Sequence, residues 1–144
     1  MIYRKFRGKA HEDGRWVTGD LVHSSFGVGI RYFAEIKGIK RGVTTFVDPD
    51  TLSRCSGLKA CGQDVYEGDI IRFHIDHTAE FWTAVVRFGW HDHGREYGWY
   101  LAPIRDTVFT KAIGVWLGEN PAFGSTAAVV GNVWDNPEMM GVQT

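Results

Sequence analysis

The chain has 144 residues, 16 Lys and Arg against 17 Asp and Glu, and a net charge of −1. An apolar fraction of 44% with 14% aromatics excludes a disordered chain, and no apolar run approaches the length of a transmembrane helix. The balance of charge excludes a global field toward nucleic acid or membrane, although residues 1–45 carry nine cations and four acids while the remainder carry seven and thirteen.

In chain order, residues 2–7 alternate as a first strand, with Ile2, Arg4 and Phe6 opposite Tyr3, Lys5 and Arg7. If the Ile2/Phe6 face is core, Lys5, Arg7 and Lys9 are left for solvent. Asp13-Gly14 is a hairpin signal. Trp16-Val17 and Leu21-Val22-His23 are extended, and Ser24 to Gly29 reads as a loop. Residues 30–34 form a strand, 38–42 a basic turn, and 43–47 a β-branched strand. Pro49 ends that strand because it cannot donate to a ladder, and Thr51-Leu52 begin one helical turn.

The middle of the chain is the most informative stretch. Gly57 and Gly62 suit positive φ, and Gly62-Gln63-Asp64 reads as a turn. Glu67-Gly68-Asp69 is a second turn, with Asp69 bonding to local backbone N–H groups rather than serving as half of a catalytic carboxylate pair. Ile71, Phe73 and Ile75 then fall at period two with Arg72 and His74 opposite, a half-buried strand. Residues 76–80 form a loop. Residues 81–88 return antiparallel to 69–75, with Ala84, Val86 and Phe88 on one face and Thr83, Val85 and Arg87 on the other. Burial of Ile71, Phe73, Val86 and Phe88 on one side is expected. Residues 90–98 read as a long polar loop and 99–101 as a strand, while 103–118 fit helix or strand equally. Residues 127–134 form a strand with a bulge at Gly131. A short C-terminal helix starts with Asn136 as cap and Pro137 as its first residue.

Several motifs occur together here. Val47-Asp48-Pro49-Asp50-Thr51 precedes Gly57-Leu58-Lys59 and Tyr66-Glu67-Gly68-Asp69-Ile70-Ile71. The chain opens on Phe6-Arg7-Gly8-Lys9 with Trp16 to Leu21 and closes on Val130-Gly131-Asn132-Val133-Trp134-Asp135-Asn136-Pro137-Glu138. This ordered set resembles the signature of the YopX family of phage and prophage proteins, over nearly the whole chain. Ala60-Cys61 departs from the family pattern within a turn. The resemblance implies a single YopX-like domain over 1–144 and supplies no catalytic residue.

Three further groupings bear on function. His74, His77, His91 and His93 sit near the central hairpin, and His91 and His93 fall on one side of an extended chain. A catalytic zinc needs three placed ligands and the sequence shows only pairs, so no metal and no cofactor is assigned. Tyr3, Arg4, Lys5, Phe6, Arg7, Lys9, Arg15 and Trp16 interleave cations with rings, as single-strand nucleic-acid binders do. Trp90, His91, His93, Arg95, Tyr97 and Trp99 have the makeup of a binding loop or of core rims.

The fold expected is mainly β, with an SH3-like barrel over about 65–101 and added terminal strands. Cys55 and Cys61 are expected as free thiols in a reducing cytoplasm, since the N-terminus lacks the apolar core of a secretory signal. The function expected is that of a phage or prophage accessory protein in a bacterial host cell. It acts by binding a protein partner or itself, since β edges must be covered. The alternatives are a nucleic-acid-binding regulator and a metal-dependent enzyme using the loop histidines.

Overall fold

A computed structural model describes residues 5–74, 81–91, 96–104, 113–114 and 127–140. Eleven strands are present: β1 Phe6–Lys9, β2 Trp16–Ser24, β3 Gly27–Ile36, β4 Ile39–Phe46, β5 Ser53–Ala60, β6 Gln63–Tyr66, β7 Asp69–His74, β8 Phe81–His91, β9 Glu96–Pro103, β10 Ile113–Gly114 and β11 Ala128–Asn132. They build two antiparallel sheets. The chain divides into two compact units, Met1–Cys55 and Ser56–Thr144.

In the first unit the strands lie in the order β4-β3-β2-β1-β5. The predicted hairpin at Asp13-Gly14 joins β1 to β2, and the Asp13 carboxylate accepts the Arg15 N–H at 3.1 Å. Residues 16–19 of β2 pair with β1 and residues 20–24 pair with β3. The strand changes partner at Gly19, where a Cβ would overlap the Arg31 carbonyl. Between β3 and β4 the turn is only Lys37-Gly38, with φ of 52° and 78°. Two left-handed residues are what a two-residue I′ hairpin requires. The expected turn over 38–42 is therefore strand from Ile39 onward, with Ile36 paired to Ile39. Asp48 caps the 3-10 turn Pro49–Thr51 by accepting the Asp50 N–H at 3.0 Å, matching the single helical turn expected there. The core is Val17, Ile30 and Val47, lined by Phe6, Val28, Tyr32 and Leu52.

The second unit begins within β5, which turns into β6 at Cys61-Gly62. Its main sheet has the order β10-β9-β8-β7-β11. The predicted antiparallel pair is present as β7 and β8, with Ile71 opposite Ala84 and Ile70 opposite Val85. Ile71, Ala84, Val86 and Leu101 pack with Ala60, Val65 and Ala127. On the other face Ile70 and Val85 pack with Ile104, and Val133, Met139 and Met140 close over them. The sheet centre is thus buried on both sides, where one buried face was expected. Phe88 is half-buried; the side chain of Phe73, and Ile75, lie outside the described part, as do the 76–80 loop and most of 103–118.

Among the described residues this sheet is open, so the barrel expected over 65–101 is not formed. The chain end supplies β11 to the edge of β7, where a barrel would need a closing strand. The expected bulge is present as a register shift between Val129 and Gly131. The expected C-terminal helix is a single 3-10 turn, Pro137–Met140. Both cysteines are free thiols, and Cys61 Sγ lies 3.0 Å from the Ala127 carbonyl.

Because Ile71 is fully buried within a well-packed face, Ile71→Ala should destabilise the chain by about 2–5 kcal/mol. Urea titration with an unchanged m-value checks this; a loss below about 1 kcal/mol would contradict the packing.

Candidate functional site

Two places gather the residues singled out by sequence. The first is the turn from Tyr66 to Asp69. Asp69 is buried, and its Oδ2 accepts the Tyr66 N–H at 2.8 Å. Gly68 takes φ of 90°, a conformation costly for any side chain. Its N–H donates to the Val86 carbonyl at 2.7 Å and its carbonyl accepts the Val133 N–H at 3.0 Å. A Cβ at Gly68 would overlap the Trp134 ring.

The closing motif is folded on itself beside that turn. Asn132 Oδ1 accepts the N–H groups of Trp134 and Asp135 at 3.1 and 2.9 Å. Its amide Nδ2 donates to Asp135 at 3.2 Å. Asn136 Oδ1 accepts the Asn132 N–H at 3.2 Å, so the residue expected to cap a helix is turned back toward β11. Gly131 makes room for it, since a Cβ there would collide with the Asn136 side chain. The two signature motifs, distant in sequence, are therefore one hydrogen-bonded joint. The arrangement satisfies backbone groups with side-chain oxygens, which is structural chemistry. Gly57 takes the expected positive φ and lies exposed with Lys59. The side chain of Leu58 lies outside the described part.

The second place is the end of the β8–β9 hairpin. The expected loop over 90–98 is strand up to His91 and again from Glu96, with Phe88 opposite Trp99 and Trp90 opposite Tyr97. These rings stand on the same face as Val86 and Leu101, extending the core face outward. Phe88 meets Tyr97 and Trp99 edge-on at centroid distances of 5.2 and 5.1 Å, and Trp90 meets Tyr97 at 5.1 Å. Trp99 packs on the core, whereas Trp90 and Tyr97 are 66% and 60% exposed. The β7 ladder to β8 runs only from Ile70 to His74, so beyond Val86 the hairpin is a two-stranded arm. Ring contacts worth about 0.5–1.5 kcal/mol each support it.

Among the described residues no group of three or more His, Cys, Asp and Glu is arranged to hold a metal. His77, His93, Arg95 and the side chains of His74 and His91 lie outside the described part. The cations of β1 are not all left for solvent, as was expected. Arg7 is buried, its guanidinium 4.6 Å from the Trp16 ring centroid, and Lys9 Nζ lies 5.5 Å from the same ring. Nearby, a shallow cleft of about 260 Å³ is lined by Arg15, Trp16, Val17, Thr18 and Tyr32. Arg15 Nη2 donates to the Tyr32 hydroxyl at 3.1 Å and Nη1 pairs with Asp13 at 3.0 Å. The Tyr32 bond, then Asp13, raises the Arg15 pKa, and the Thr45 hydroxyl, opposed by burial, lowers that of Tyr32.

The open two-sheet β architecture and the joined signature motifs define the class of protein. The model of the family described as YopX protein matches residues 5–141, and the chain belongs to that family. The fold is similar to the crystal structure of protein EF1440 from Enterococcus faecalis, with a TM-score of 0.55 and 15% identity over 97% of this chain and 99% of that one. No curated protein matches the chain.

Removing the Asp69 carboxylate leaves a buried N–H without its acceptor. Asp69→Ala should therefore cost about 1–3 kcal/mol, and more if the turn shifts. Calorimetry or denaturant titration reads the loss; unchanged stability would show that the joint does not depend on this bond.

Proposed function

We propose that this YopX-family chain is a phage or prophage accessory protein that acts by binding a protein partner through the aromatic face of the β8–β9 arm. One observation carries the reading: Trp90 and Tyr97 are both mostly exposed on an arm that their neighbours hold in place. Exposed aromatic pairs lose solvation at no benefit to the free protein, and Trp and Tyr dominate the energetic centres of interfaces. The chain acts as one domain over 1–144, in the host cytoplasm, without a cofactor. No helix among the described residues is long and apolar enough to cross a membrane. Nucleic acid is the less supported partner, because Arg7 is buried against Trp16 and fewer cations remain to release counterions.

Affinity capture from host cells, with and without nuclease, tests the reading. Trp90→Ala with Tyr97→Ala should weaken capture of the partner at least about tenfold. Stability should change by about 1 kcal/mol or less per site, as for exposed positions with one ring contact. Capture that survives both substitutions, or that vanishes with nuclease, overturns it.

A further inference from the structure

We propose that a second copy of this chain pairs along the free edge of β4, forming a two-fold dimer with a continuous sheet. Strand edges present unpaired N–H and C=O groups, and proteins blunt them by shortness, bulges, proline or charge. Among the described residues, β6 has four residues, β10 two, and β11 five with a register shift. β4 has eight, without proline, paired to β3 along its whole length without a shift. It is also flanked by exposed apolar side chains: Phe33 at 76%, Ile39 at 55% and Phe46 at 39%.

The cations on this strand select the partner. Lys40 and Arg41 lie together at one end, and residues 42–46 carry no charge. Parallel pairing of two such strands would set the cations side by side, which is destabilising. Antiparallel pairing about a two-fold axis normal to the sheet keeps each side chain on its own face, so residues of equal parity oppose. Centred on Val43, this sets Arg41 opposite Thr45 of the second copy and Lys40 opposite Phe46. The two Arg41 residues then stand four positions apart along the strand, about 13 Å, beyond a physiological screening length of about 8 Å. Lys40 meets an aromatic face, a favourable cation–π arrangement, and the exposed Phe46 is covered. The same charges that would block a parallel partner are tolerated by an identical antiparallel one.

Light scattering with size-exclusion chromatography, over a concentration series, should give twice the chain mass of 16.2 kDa. Phe46→Lys sets like charge opposite Lys40 of the second copy, whereas Phe46→Glu sets opposite charge there. Both lose the ring, so the difference between them isolates the cross-strand pair. The dimer Kd of Phe46→Lys should exceed that of Phe46→Glu by roughly tenfold, and the gap should narrow in high salt. A wild-type chain that stays monomeric up to about 100 µM overturns the proposal, as does equal weakening by both variants. A dimer lost on Trp90→Ala but kept in Phe46→Lys would place the contact on the β8–β9 arm instead and also overturn it.

Discussion

The peptide unit of Gly68 is hydrogen-bonded on both sides, to Val86 through its N–H and to Val133 through its carbonyl. The second unit depends on that double use. It ties the start of β7 to β8 and to the segment after β11 at one point. No residue with a side chain fits there, since the conformation is left-handed and the Trp134 ring fills the space. Asp69 then accepts the Tyr66 N–H inside the turn, which fixes the direction in which β7 leaves. From that direction follows the alternation that sends Ile71 to one core and Ile70 to the other.

The β8–β9 arm is a consequence of the same geometry. β7 starts at Asp69, so it cannot shield the hairpin beyond Val86. The apolar face of β8 continues past that point through Phe88 and Trp90, and β9 answers with Trp99 and Tyr97. Inside the sheet this face is core; outside it, the same alternation presents rings to solvent. A surface of this kind arises from a mismatch in strand length, not from a dedicated loop. The first unit repeats the pattern in another form, because β2 leaves β3 at Gly19 and the outer part of the β3–β4 hairpin pairs only with itself.

Local chemistry was legible in the sequence, and distant partners were not. The turns at Asp13-Gly14 and Glu67-Gly68-Asp69 were readable because glycine and aspartate act on their own neighbourhood. The 69–75 and 81–88 pair was readable from its alternation. The second core around Ile70 and Val85 was not, because its cover comes from Ile104, Val133, Met139 and Met140, and no pattern near β7 announces them. The aromatic site was named correctly as a group but misread as a loop. Gly89 and Gly98 look like loop residues, yet they oppose one another inside the ladder. Burial of Arg7 had a usable signal. Counting outward from Asp13-Gly14 sets Lys9 opposite Trp16, which brings Arg7 within reach of the same ring.

The joint at Gly68 also bears on how the chain is made. Synthesis runs from the N-terminus, so β7, β8 and β9 exist before β11 and Trp134 have been added. Until then the edge of β7, the Gly68 carbonyl and the lower face around Ile70 and Val85 have no native cover. A growing chain therefore holds an open strand edge beside uncovered apolar residues, a combination prone to wrong pairing. The last residues translated are the ones that close it. A ribosome that stops short of Val133 releases a molecule with every central strand present and its second sheet unsealed.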